Sequence, residues 1–423
     1  MALAPASTSL ASHDDTPADL RWFVFALFFI FGGITSLNDV LIPKLKSLFT
    51  LDYAEVMLVQ SAFFAAYFLV SLPAAAIVRR IGYMRTAALG LVTMTAGCLM
   101  FIPASVSAVF PAFLAALFVL ASGVTIVQVV ANPLISMLGR AETVHSRLTF
   151  AQAFNALGTT VFPFFGARLI LGSLPDIDPA ALDAAALATL RAQETGVIVT
   201  TYLGIAAALV IVAVAVWLRR DRLAETPVPR ISMFAAFDLL KRPRFALGAL
   251  AIFVYVGAEV SIGSLLANFL MQADTLAVAA QSAGELIAFY WGGAMIGRFI
   301  GAGLLRRFEP ALVLCAFAVG AGLLLLTSAN TVGLVAGWSL IAIGLMNSIM
   351  FPTIFSLASE GLGTRAAEGS GIICMAIVGG AIVPLVTGVA ADGLGLRAAL
   401  FVPLACYVYI AGFALATRRL TPQ

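Results

Sequence analysis

The residues able to do chemistry in this chain are few, and they sit where they are costly. Asp39, in Leu37-Asn38-Asp39-Val40-Leu41-Ile42-Pro43, lies inside an apolar run from Trp22 to Lys44. A carboxylate that deep in a membrane-length helix costs about 2.5–3.5 kcal/mol unless it pairs, meets water or takes up a proton. Pro43 has no N–H to offer the carbonyl four residues back, which is that of Asp39 itself. Such a gap is tolerated within a bilayer only against protein or a watery cavity. Asp39 is therefore expected to line a wet chamber. Glu259, in another apolar run, is the second membrane-embedded acid, and an interhelical pair or hydrogen bond is the plainer role for it.

Around these acids run uncharged polar stripes. Thr125, Gln128, Asn132 and Ser136 follow at steps of three, four and four, which is one helical face. Pro133 frees the Val129 carbonyl on the neighbouring turn. Thr149, Gln152, Asn155 and Thr159 form a second face, and Pro163 frees the Thr159 carbonyl. An amide both gives and accepts hydrogen bonds. Amides without net charge suit a neutral, hydroxyl-rich ligand such as a sugar, whereas helix-to-helix adhesion is the plainer role. Asn38, Gln128, Asn132, Gln152, Asn155, Asn268 and Asn347 are the candidate ligand contacts, with Trp291 as a flat surface for a sugar ring. Asn268 and Glu259 are nine residues apart, so either the helix breaks near Gly263 or only one of them meets the cavity. Pro43, Pro133 and Pro352 are expected to shape the gates, and Arg298 to snorkel or pair at the inner one. Pro352 frees the Ser348 carbonyl. His145 reads as a solvated loop residue.

These residues need elements to hold them, and composition says which kind. The 423 residues are 62% hydrophobic and 11% charged, with a mean hydropathy of +1.05. A soluble domain carries about 25% charged residues, so this is an integral membrane protein in contact with the lipid bilayer. The apolar runs are long enough for helices rather than barrel strands. Twelve spans are expected, near 22–45, 54–79, 84–103, 107–139, 148–172, 196–218, 245–272, 282–305, 310–329, 331–358, 369–391 and 397–417. The fold class is thus all-α, with residues 21–218 and 245–423 as two six-helix bundles related by a pseudo-two-fold axis. Residues 1–20 form a disordered tail and 219–244 a basic linker, while 173–195 is a long loop. Arg79, Arg80, Arg85, Arg140, Arg147, the linker arginines, Arg306, Arg307, Arg365, Arg418 and Arg419 all fall on one side. The positive-inside rule makes that side, and both termini, cytoplasmic, and 173–195 outward-facing.

The halves echo each other about 220 residues apart: Asp39 with Glu259, Pro133 with Pro352, Pro163 with Pro384. Repeated halves with proline-interrupted helices at matching places mark alternating-access transporters. No phosphate-binding loop, metal-spaced Cys/His set or nucleophile elbow is present, which argues against an ATP-driven pump and against an enzyme. No cofactor is expected. The charge of +3 gives no reason to expect a nucleic-acid partner. Cys98, Cys315, Cys374 and Cys406 each sit alone in apolar runs and read as free thiols.

Twelve spans in two halves with a basic central loop resemble the major facilitator superfamily. Its signature between spans 2 and 3 is degenerate here, with Arg79 at the expected acidic position of Arg79-Arg80-Ile81-Gly82-Tyr83. That departure fits the fucose/glucose–galactose/hexuronate group of sugar–proton symporters. Leu37-Asn38-Asp39-Val40-Leu41-Ile42-Pro43, Ala131-Asn132-Pro133, Ala151-Gln152-Ala153-Phe154-Asn155 and Phe351-Pro352-Thr353-Ile354-Phe355-Ser356-Leu357 look like that group. Tyr255-Val256-Gly257-Ala258-Glu259 and Tyr290-Trp291-Gly292-Gly293 are similar to its glucose/galactose members. The resemblance implies that Asp39 is the proton-binding acid and that a neutral hexose is the substrate. It also implies that Gln128 stands where fucose members have a second acid, a role Glu259 partly takes over. Sodium is the alternative coupling ion. A monomer in the cell inner membrane is expected.

Overall fold

The computed structural model describes the backbone of residues 18–49, 53–107, 109–170, 184–221 and 233–420. It describes their side chains except at 18–20, 37–44, 46–48, 53–57, 60, 163, 164, 166–170, 184–195, 233, 280 and 281. All regular structure among these residues is helical. The helices are α1 (Ala18–Phe49), α2 (Tyr53–Ile81), α3 (Tyr83–Ser107), α4 (Phe110–Met137), α5 (Val144–Ile170) and α6 (Ala184–Leu218). They continue with α7 (Pro243–Met271), α8 (Ala280–Leu304), α9 (Pro310–Asn330), α10 (Gly333–Asn347) and α11 (Met350–Ser359). The last are α12 (Ala366–Ala376), α13 (Gly379–Leu394), α14 (Leu396–Ala399) and α15 (Phe401–Thr417). Among the described residues nine helical segments are long and apolar enough to cross a membrane, α10–α11 counting as one and α12–α13 as another.

Local sequence explains where the helices start and stop. Proline opens α4, α7 and α9, where a missing N–H has no intrahelical partner to lose. Gly82 turns the chain from α2 into α3 with φ at 87°, a conformation most side chains avoid. Three features differ from the sequence reading. Part of the expected 173–195 loop is helix, because α6 begins at Ala184; its Ala-rich start favours helix strongly. The linker contains a 3₁₀ segment, Met233–Lys241, in which Lys241 pairs with Asp238 at 2.6 Å and holds that exposed carboxyl below its ordinary range. The tenth and eleventh expected spans are each two helices, interrupted at Ser348 and Ile349 and at Ile377 and Val378.

Glycine sets how closely the helices approach, as expected where lipid gives no hydrophobic drive to associate. Gly32 and Gly33 of α1 lie against Asn155 and Phe162 of α5, and Gly158 of α5 against the Phe29 carbonyl. On α8, Gly293, Gly297 and Gly301 form a stripe at four-residue steps that meets Leu345, Ser348 and Ile349. Any side chain at Gly297 would run into Ser348, so α8 is pressed onto the interruption between α10 and α11. Gly379 and Gly380 are packing positions against Phe253 and Phe64, whereas Gly292 faces open space.

Helices α1–α6 pack chiefly on one another, as do α7–α15, and the two sets meet through α2, α4 and α5 on one side and α8, α11 and α12 on the other.

Candidate functional site

Two polar clusters stand inside the helix bundle, and both are built from an amide and tyrosine hydroxyls. In the first, Tyr67 of α2 donates to Gln128 Oε1 of α4 at 2.7 Å, both side chains being buried. In the second, Asn347, the last residue of α10, is fully buried. Its Nδ2 donates to the Tyr290 hydroxyl at 2.8 Å, and its Oδ1 accepts from Tyr407 at 2.6 Å. The Tyr255 hydroxyl of α7 lies 2.9 Å from Glu259 Oε1 and 3.1 Å from the Asn347 carbonyl. Arg298 of α8 donates from Nε to the Ser348 carbonyl at 3.3 Å. Glu259, Arg298 and Asn347, which sequence suggested separately, thus belong to one network.

The prolines act as their chemistry requires. Pro133 lies within α4, and the Val129 carbonyl it deprives of a donor accepts instead from the Ser370 hydroxyl of α12, at 2.8 Å. Pro352 leaves the Ser348 carbonyl to Arg298. In both places a side chain replaces the missing backbone donor.

The remaining predicted residues divide. Asn132 is fully buried, and neither its Oδ1 nor its Nδ2 has a hydrogen-bond partner among the described residues. An unmet buried amide costs about 1–3 kcal/mol. Gln152 of α5 is also buried. Asn155 donates to the Phe28 carbonyl of α1 at 3.3 Å, which is helix-to-helix adhesion. Helix α7 runs unbroken from Pro243 to Met271, so Asn268 faces away from Glu259 and is exposed; no break occurs at Gly263. Trp291 is 42% exposed, edge-on to Tyr290 at 5.1 Å between centroids. The backbone of α1 continues as helix through Asn38, Asp39 and Pro43, but their side chains lie outside the described residues, as does that of Pro163.

The arginine-rich end of the bundle is shut by contacts between the two sets of helices. Arg79 of α2 pairs with the buried Glu368 of α12, which Arg365 also holds at 2.7 Å. Ser146 of α5 donates to the Ala302 carbonyl at 2.6 Å and accepts from Arg306 at 3.2 Å. His145 is not a solvated loop residue. It lies in the first turn of α5, with Nδ1 2.7 Å from Ser356 Oγ and Nε2 3.1 Å from Glu360 Oε1, across the junction. Arg244 holds the other Glu360 oxygen. The sequence reading left His145 in solvent because a lone His in a short loop carries no mark of the helix that meets it.

Sequence reasoning also missed Tyr67, Tyr290 and Tyr407. The available signal was that a tyrosine buried in an apolar helix needs a partner for its hydroxyl. Among the described residues no group of three or more His, Cys, Asp or Glu side chains could hold a metal, and the four cysteines are free thiols.

The sequence pattern of the Major Facilitator Superfamily matches residues 23–384. The chain is 48% identical over 346 residues to the glucose/galactose transporter of Brucella abortus, covering 82% of this chain and 81% of that one. It is 33% identical over 357 residues to the L-fucose-proton symporter of Escherichia coli, covering 82% and 80%. Among solved structures it superposes on a Major Facilitator Superfamily transporter, FucP, in the outward conformation, with a TM-score of 0.87 at 30% identity, covering 94% of this chain and 98% of that one.

Proposed function

The chain belongs to the major facilitator superfamily, and from that premise we propose that it imports a neutral hexose such as glucose or galactose by proton-coupled symport. The observation that carries the reading is the pair of amide–tyrosine clusters, Gln128 with Tyr67 and Asn347 with Tyr290 and Tyr407. They supply uncharged donors and acceptors from both sets of helices beside a membrane-embedded acid. Hydroxyl-rich neutral ligands need that chemistry. The names of the glucose/galactose and fucose relatives support the same substrate class. Gln128, in place of a second acid, favours glucose or galactose over fucose.

In this reading the twelve spans form two six-helix bundles that rock about a central site. The arginine-rich end and both termini face the cytoplasm, with the protein in the inner membrane. The Arg79–Glu368 pair and the His145–Glu360 contact close that end, so the cavity opens outward, in keeping with the outward conformation of the structural relative. Asp39 takes a proton from outside. The chamber closes around sugar held by Gln128, Asn132 and Gln152, and inside the proton and sugar leave. The membrane potential adds about 2.3 kcal/mol per charge per 100 mV.

The test is uptake into proteoliposomes under an imposed pH gradient, with and without sodium, against a panel of hexoses. Accumulation driven by the pH gradient alone, competed by glucose and galactose, is expected. Asp39→Asn is expected to abolish uphill uptake while leaving exchange of internal for external sugar. Sugar concentrated by the Asp39→Asn protein, or uptake that needs sodium and ignores the pH gradient, overturns the proton assignment.

A further inference from the structure

The C-terminal cluster has a feature that ligand binding does not require. Tyr255, which bonds Glu259 at 2.9 Å, and Arg298, the cation of the same cluster, are the two groups that hold the carbonyls at the interruption between α10 and α11. Tyr255 reaches the Asn347 carbonyl and Arg298 the next one, that of Ser348. A phenol has one proton to donate, and the Tyr255 hydroxyl has two acceptors, at 2.9 Å and 3.1 Å.

We propose that Glu259 controls the α10–α11 interruption by competing with its two carbonyls for Tyr255 and Arg298, so that Tyr255 is a positioning residue linking the charge of the acid to the shape of the helix. The proposal rests on the transport reading above and deepens it.

The competition follows from bond strengths. A hydrogen bond to an ionised carboxylate is roughly twice as strong as one between neutral groups. With Glu259 ionised, the Tyr255 proton goes to the carboxylate, and Arg298 is drawn the same way by charge. The Asn347 and Ser348 carbonyls then hold their donors weakly. Asn347 cannot compensate by turning, because its amide is clamped at both ends by Tyr290 and Tyr407. Pro352 offers no N–H to Ser348. With Glu259 neutral, both donors return to the carbonyls and the interruption tightens. The glycine stripe of α8 presses on the same point through Gly297 and Ser348, so a change there is felt by the helix that also meets α5 across the junction. The other groups acting on this site are Tyr290 of α8 and Tyr407 of α15; no titratable group of α10, α11 or α13 joins them among the described residues.

The test is hydrogen exchange of the amides at 347–351 in the full-length protein in nanodiscs, from pH 5.5 to 8 and corrected for intrinsic exchange chemistry. In the wild type, protection is expected to fall about tenfold as pH rises, the change of one exposed carbonyl bond gained or lost. Glu259→Gln should make protection independent of pH and near the low-pH level. Tyr255→Phe, which keeps the acid and the ring, should lose most of the pH dependence while still folding. Wild-type protection that varies with pH equally in Glu259→Gln or in Tyr255→Phe overturns the proposal. Hexose uptake measured on the same preparations separates the two claims. Proton-driven uptake with pH-independent protection sinks the linkage alone. A Glu259-dependent pH response in a protein that moves no hexose sinks the substrate reading and leaves the linkage standing.

Discussion

The fourth helix of the first set and its counterpart in the second are built alike and held differently. Gln128 and Asn347 each stand five residues before a proline, Pro133 and Pro352, and each meets a tyrosine from a neighbouring helix. Each proline frees a carbonyl. In α4 the freed carbonyl of Val129 is served by Ser370, which belongs to the other set of helices. In α10 the freed carbonyl of Ser348 is served by Arg298, from the same set. The first bond joins the two sets of helices; the second lies within one of them. Helix α4 accordingly runs whole to Met137, whereas α10 stops at Asn347. The comparison teaches that one proline reports closure between the sets and the other makes a joint within a set.

The strongest way to break this comparison is to remove the closure itself. Glu368 has 5% of its side chain exposed, Arg79 has 7%, and Arg365 shares the same carboxylate. Taking one partner from a buried pair costs about 3–5 kcal/mol, because charge is left buried. Glu368→Ala should therefore open the arginine-rich end, read as faster thiol labelling of a cysteine introduced at Ser356, a position now 3% exposed. Unchanged labelling would mean that the ion pairs do not hold the two sets together.

Next in size are the amides. Asn347→Ala strands the hydroxyls of Tyr290 and Tyr407, whereas Gln128→Ala strands only that of Tyr67. At about 1–3 kcal/mol for each unmet buried group, Asn347→Ala should lower thermal stability roughly twice as far. Equal losses measured by thermal unfolding in detergent would show that the two clusters are equivalent after all.

How much of this was legible in the sequence follows from what each feature depends on. Long apolar runs, prolines and arginine placement are local, so the helical membrane architecture and the freed carbonyls could be read residue by residue. Which side chain answers a freed carbonyl is not local. Ser370 lies 241 residues from Val129, and Arg298 is 50 residues from Ser348. The same holds for His145, whose partners Ser356 and Glu360 lie on and just after α11, and for Tyr67, Tyr290 and Tyr407, whose amide partners sit on other helices. Asn155 and Asn268 show the opposite limit. Periodicity puts Asn155 on a polar face, but only the close approach of α1 at Gly32 and Gly158 decides that the face meets a helix. Asn268 depended on whether α7 breaks at Gly263, a question that residue spacing leaves open.

The smallest effect is also the sharpest test of the difference between the two prolines. Ser370→Ala removes one neutral hydrogen bond to the Val129 carbonyl, worth about 1 kcal/mol, and only from the closed arrangement. It should therefore speed labelling at the arginine-rich end about fivefold, with little change in unfolding temperature. Pro133→Ala restores a backbone N–H four residues after Val129, so that carbonyl would no longer depend on Ser370. In the Pro133→Ala background, Ser370→Ala should have almost no effect on labelling, a coupling that a double-mutant cycle measures directly. Pro352→Ala should leave the effect of Ser370→Ala whole, since the Ser348 carbonyl answers to Arg298 instead. Were Pro352→Ala to erase it as well, the two interruptions would be one device, and the contrast between a joint within a set and a contact between sets would fall.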